Sequence, residues 1–133
     1  MATAEGRTVP FVGPEHIDAG VLEVFPYSGP EQEIVTETDE FSAVCPYSGL
    51  PDFARLTINY VPTAHCVELK SLKYYITSYR SVGIFQEHVT ARIAEDLFHL
   101  LSPKRLVVRT CYNVRGGFET TCSVTLPAAI RDS

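Results

Sequence analysis

The segment AVCPYSGLPDFA, residues 43–54, sets a thiol and a carboxyl seven positions apart. Pro46, Ser48, Gly49 and Pro51 are turn formers, so Cys45 stands in a loop presented by its flanking elements. A presented thiol is a candidate nucleophile. Asp52 is a candidate partner for the proton that such an addition must move. Taken singly, each has a plainer reading: a turn thiol, and a capping carboxyl ahead of a strand.

Three further groups carry possible chemistry. In HCVELKSLKYY, Glu68 precedes a helix whose opening turns hold Lys70 and Lys73. Two cations beside free helix-start amides suit a phosphate, and they oppose the helix dipole, a mild local cost. In FQEHV, Glu87 opens a second helix, next to Gln86 and His88. A carboxylate there compensates the dipole, or grips a guanidine-like edge with both oxygens. In NVRGG, the Gly-Gly pair is a hairpin turn and Arg115 can meet a phosphate. No G-x-G-x-x-G and no phosphate-binding Walker loop occurs.

The elements that must position these groups follow from periodicity. IVTET starts a first strand at Ile34 that leads into Phe41. ARLTINYVP alternates, with Leu56, Ile58 and Tyr60 on one face and Arg55, Thr57 and Asn59 on the other, until Pro62. SLKYYITSYR places Leu72, Tyr75, Ile76 and Tyr79 on one helical stripe. After Gly83 a second helix runs from about Phe85 to Leu101, with Val89, Ile93, Leu97 and Leu100 on one side, stopped by Pro103. RLVVRTCY and FETTCSVTL are a third and fourth strand around the NVRGG turn. Residues 1–32, rich in Gly, Pro and charge, read as an extended arm, and 33–133 as one domain. The expected architecture is α+β: two antiparallel hairpins in a four-stranded sheet, with two amphipathic helices on one face. Its open edges and uncovered second face call for oligomerisation.

A chain of 133 residues fits one domain, and 45% apolar with 20% charged residues is ordinary for a globular protein. The net charge of −5 argues against direct nucleic-acid or anionic-membrane binding. No apolar run approaches the roughly 20 residues of a membrane helix, and no secretory signal pattern opens the chain. Cys45, Cys66, Cys111 and Cys122 lack Cys-x-x-Cys or zinc-knuckle spacing, so a reduced, metal-free cytoplasmic protein is expected.

In this order and at these separations, CPYSGLPDFA, VELKSLKYY, YRSVGIFQEHV and NVRGGF resemble 7-cyano-7-deazaguanine reductase in its short single-domain form. The resemblance covers about Phe25 to Leu126, and the Glu-Leu-Lys-Ser-Leu-Lys-Tyr run is its diagnostic segment. It implies a tunnelling fold like that of GTP cyclohydrolase I, assembled as a pentamer-based ring with sites between neighbours. The implied reaction is NADPH-dependent, four-electron reduction of a nitrile to a primary amine in queuosine biosynthesis. Cys45 would form a thioimide and Asp52 would supply protons. Val67, Glu68, Leu69 and Glu87 would bind the deazaguanine, with Gln86 beside them, and Lys70 and Lys73 would serve NADPH; Arg115 joins that cofactor group. Many members carry His where Gln86 stands; Gln still hydrogen-bonds but does not titrate, and His88 follows it. A nitrile accepts hydride poorly. Thiolate addition turns it into an imine-like acceptor, which requires an exposed thiol of lowered pKa. The competing readings are another tunnelling-fold enzyme, either GTP cyclohydrolase-like or the tRNA amidine-forming relative, and a non-catalytic purine- or pterin-binding ring protein.

Overall fold

The structure is a computed structural model and describes residues 6–128. Two long strands, β2 (Ile34–Val44) and β3 (Pro51–Val61), form the first hairpin; β5 (Arg105–Tyr112) and β6 (Thr121–Leu126) form the second. They join as one antiparallel sheet in the order β2-β3-β5-β6, with β3 against β5. Helices α1 (Leu69–Thr77) and α2 (Gln86–Leu101) lie in the crossover between the hairpins. The alternation expected for β3 holds: Leu56, Ile58 and Tyr60 are buried in the core with Leu106 and Val108, while Arg55 is exposed. In β2 the register slips between Thr38 and Phe41, and this bulge turns Phe41 fully into the core.

Helix α1 starts at Leu69, directly after Glu68 as expected, and the Glu68 side chain caps it, accepting from the Lys70 and Ser71 amides at 2.9 and 2.6 Å. Two local differences from the sequence expectation have physical reasons. In α2 the buried stripe closes on Leu101, with Leu100 half-buried, since four residues past Leu97 completes the turn. Of the expected arm, residues 1–32, the first five lie outside the described residues, and the rest is more tied down than an extended segment. Pro14–His16 and Ala19–Val21 are single 3₁₀ turns, Ile17 is buried, and β1 (Val24–Pro26) pairs with β4 (His65–Val67).

The crossover is locked by polar contacts. The Tyr75 hydroxyl donates to Asp96 at 2.6 Å, Arg92 donates to the same carboxylate, and Tyr79 joins at 2.8 Å. At the other end of α2, the Thr90 hydroxyl donates to the Gln86 carbonyl and meets Thr110 of β5 at 2.6 Å. That bond clips the start of α2 onto the sheet. No helix among the described residues is long and apolar enough to cross a membrane.

Candidate active site

Cys45 lies just past the end of β2, and Asp52 is the second residue of β3, directly opposite Ala43. The six residues from Cys45 to Leu50 close on themselves: the Cys45 amide donates to Leu50 and the Gly49 amide donates back to Cys45, both at 2.9 Å. Gly49 has φ +74, and a Cβ there would stand 1.9 Å from the Val9 carbonyl oxygen. Glycine is required on both counts. The Val9 amide in turn donates to Ser48 at 2.8 Å, so the N-terminal segment holds the loop from outside.

This loop shape acidifies the thiol. Hydrogen bonding from the Ser48 backbone is the largest cause, with Tyr47 and Arg115 adding to it against the opposing effect of burial; the Cys45 pKa falls to about 7. The result is a nucleophile substantially ionised at neutral pH.

Asp52 is only 4% exposed. The Arg115 guanidinium donates to its carboxylate and also reaches the Cys45 sulfur. Arg115 is delivered by the β5–β6 turn, where Gly116 and Gly117 have φ +56 and +84 and Arg115 and Phe118 exchange backbone hydrogen bonds. Positive φ at both central positions is the turn geometry that Gly-Gly serves.

The start of α2 stands beside the loop. Val44 bridges Gly83, and the Tyr47 ring meets Phe85 edge-on at 5.7 Å, with His88 behind it at 6.0 Å. Tyr47 is 76% exposed and Phe85 is half-exposed, so both rings present faces to an incoming planar molecule. Gln86 and Glu87 follow in the first helical turn, with Glu87 exposed. Tyr112, buried opposite Ala54 on the Asp52 face of the sheet, is within electrostatic reach of both Asp52 and Glu87. Cys45, Asp52, Arg115, Gln86 and Glu87 therefore share one end of the sheet. Sequence reasoning missed Tyr47, Phe85 and Tyr112, although the aromatic pair flanking the two candidate motifs was a visible signal.

Val67, Glu68, Leu69, Lys70 and Lys73 lie elsewhere. The Val67 amide donates to the Tyr60 hydroxyl at 3.2 Å, and Tyr60 is near the far end of β3. Eight residues separate Asp52 from Tyr60 along one strand, which is about 26 Å at the usual rise. The Glu68 carboxylate is engaged in capping α1, and the amides of Ser71 and Lys70 hold its pKa below the ordinary value. Lys70 and Lys73 are exposed. Lys73 lines a groove of about 250 Å³ between α1 and edge strand β2, together with Arg80, Thr38 and Glu40.

Comparison with known proteins identifies the family. Residues 51–129 match the family model described as QueF-like protein. An NADPH-dependent 7-cyano-7-deazaguanine reductase from Thermotoga petrophila is 52% identical over 122 residues, 91% of this chain and 89% of the relative. The protein of the same name from Caldicellulosiruptor bescii is 54% identical over 116 residues, covering 86% and 88%. That from Chlorobaculum tepidum is 46% identical over 107 residues, covering 79% and 92%. A crystal structure of an archaeosine synthase QueF-Like in the apo form superposes with a TM-score of 0.66, over 78% of this chain and all of that one. At 19% identity it shows the fold, which is the tunnelling fold. The chain thus belongs to the QueF-like family, alongside the 7-cyano-7-deazaguanine reductases that are about half identical to it over most of its length.

Proposed function

We propose that this chain reduces the nitrile of 7-cyano-7-deazaguanine to the aminomethyl group with NADPH, the step that serves queuosine biosynthesis. The carrying observation is the acidified Cys45 thiol held beside the Asp52–Arg115 pair. Cys45 Sγ adds to the nitrile carbon while the nitrile nitrogen takes a proton, giving a thioimide. Asp52 stands at that nitrogen's side to pass protons. Arg115 keeps the carboxylate and thiolate charges compatible within one small site. Two NADPH molecules, bound in turn, would each supply one hydride to the former nitrile carbon. Cys45 leaves as thiolate between the two transfers, and Asp52 returns the protons that complete the amine. Tyr47 and Phe85 offer their rings to the deazapurine, and Glu87 offers both oxygens to its N–H edge. Lys70 and Lys73 fit a phosphate-bearing cofactor. Both are exposed near the start of α1, and among the described residues Lys73 makes no ion pair.

Tyr60, whose hydroxyl accepts from the Val67 amide, lies about 26 Å along β3 from Asp52, and this favours a site completed by a second copy. One chain supplies the Cys45 end, and its neighbour supplies Val67 to Lys73, in the pentamer-based ring that the resemblance implies. Among the described residues β2 is an edge strand, bridged at Val44 to Gly83, and its edge together with the exposed residues Val35 and Phe53 supports assembly. Four free cysteines suit the reducing cytoplasm. The deciding experiment is addition of 7-cyano-7-deazaguanine to the protein with NADPH. NADPH absorbance falls by two equivalents per nitrile, and no oxidation with a demonstrated tight-binding substrate overturns the reductase reading.

A further inference from the structure

Tyr112 is the last residue of β5 and pairs with Ala54 across the β3–β5 ladder. Its side chain is therefore on the same sheet face as Asp52, two residues along β3 from Ala54. It is 2% exposed, yet its hydroxyl makes no hydrogen bond, one of only two such side-chain atoms among the described residues. Folded chains seldom leave a buried hydroxyl unmatched, because it has lost water and gained nothing. The neighbouring Thr110 cannot serve as its donor. The Thr90 proton goes to the Gln86 carbonyl, so Thr110 supplies the proton of the 2.6 Å bond between the two threonines.

The hydroxyl's surroundings indicate what completes it. Burial is the main cause that raises its pKa, and the charges of Asp52, Cys122 and Glu87 add to it. Tyr112 is thus held protonated, a neutral donor near two carboxylates, with the Thr110 hydroxyl beside it but no hydrogen bond made. We propose that Tyr112 donates this hydrogen bond to the 6-oxo group of the deazaguanine and so selects a 6-oxo over a 6-amino ring. This rests on the substrate reading above. In 7-cyano-7-deazaguanine the nitrile and the 6-oxo group project from the same side of the fused rings. The N1–H and 2-amino groups follow on the adjacent edge. With the nitrile carbon at Cys45 and the N–H edge at Glu87, the keto oxygen falls between them, toward Tyr112, whose buried hydroxyl must be uncovered as the ring seats. A 6-amino group at that point would set donor against donor, and a donor site rejects that mismatch.

The test uses the full-length chain in the Cys45→Ala background, so that no covalent adduct obscures affinity. Calorimetry compares 7-cyano-7-deazaguanine with its 2,6-diamino analogue, with and without Tyr112→Phe. The substitution weakens the oxo ligand by about tenfold, leaves the diamino analogue unchanged or tighter, and narrows the discrimination between them by about that factor, the remainder belonging to Glu87, which meets no N1–H in the diamino ring. The ligand-free melting temperature stays level or rises, since the hydroxyl removed had no partner. Unchanged affinity for the oxo ligand overturns the proposal. So does an equal loss for both ligands with a lowered melting temperature, which marks a packing role. If the chain with Tyr112 intact binds neither ligand, the substrate reading itself fails, and this inference with it.

Discussion

Arg115 and Asp52, 63 residues apart in sequence, form an ion pair whose carboxylate is buried and whose guanidinium also acts on the Cys45 thiol, lowering its pKa. One cation thus neutralises two groups that the reaction needs in anionic form at different moments. Arg115→Met leaves the Asp52 carboxylate buried without its partner. Full burial of both partners would make that cost large, but the Arg115 side chain is 44% exposed, so the expected loss is about 1–2 kcal/mol. Denaturant titration measures it, and an unchanged midpoint contradicts the pairing.

The nucleophile is checked by mass. Incubation with 7-cyano-7-deazaguanine without NADPH gives one adduct per chain with no leaving group lost, on the peptide that holds Cys45. NADPH discharges it, and Cys45→Ala abolishes both adduct and turnover. A label on Cys66, Cys111 or Cys122 assigns the chemistry elsewhere.

The acidity of the thiol has its own signature. Below pH 7 Cys45 is mostly protonated and unreactive, and above it mostly thiolate. Carboxymethylation of Cys45 therefore rises with pH around a midpoint near 7, in contrast to the ordinary thiol value of about 8.5. Gly49→Ala, which drives a Cβ into the Val9 carbonyl, distorts the loop amides and moves the midpoint upward. Arg115→Met moves it less, because Arg115 is the smallest of the lowering causes. The reverse order refutes the loop as the main source of acidity.

Glu87 is expected to carry recognition rather than chemistry. Glu87→Gln replaces a charged acceptor by a neutral one and weakens deazaguanine binding by about 2 kcal/mol, roughly thirtyfold. Titration of the Cys45→Ala, Glu87→Gln double variant reads this directly.

Sites shared between chains predict complementation. Cys45→Ala and the Lys70→Ala, Lys73→Ala double variant are each nearly inactive alone. Co-refolded in equal amounts, random assembly leaves about a quarter of interfaces with both intact halves, and activity returns to about that level. No recovery in mixed rings shows that each chain completes its own site.

The strands and helices were legible where an apolar period ran for two turns or more, as in Leu56–Ile58–Tyr60 and Val89–Ile93–Leu97. β1 and β4, three residues each, pair with one another outside the main sheet and carry no such period. Glu68 as a cap was hidden because glutamate is not a preferred residue at that position. For the site, the motifs named Cys45, Asp52, Glu87 and Arg115. Which of them touch is set by sheet register, which local patterns do not encode. The unmatched Tyr112 hydroxyl depends on what Thr90 and Thr110 do with their protons, and no spacing announces that.

The grip of Val9 on Ser48 and Gly49 makes the reactivity of Cys45 a remote property. A synthetic peptide of residues 43–54 would hold every neighbour that matters in sequence and still titrate like free cysteine. Proteolytic trimming of the chain ahead of Phe11 would likewise dull the enzyme while every residue at the reaction centre stayed in place.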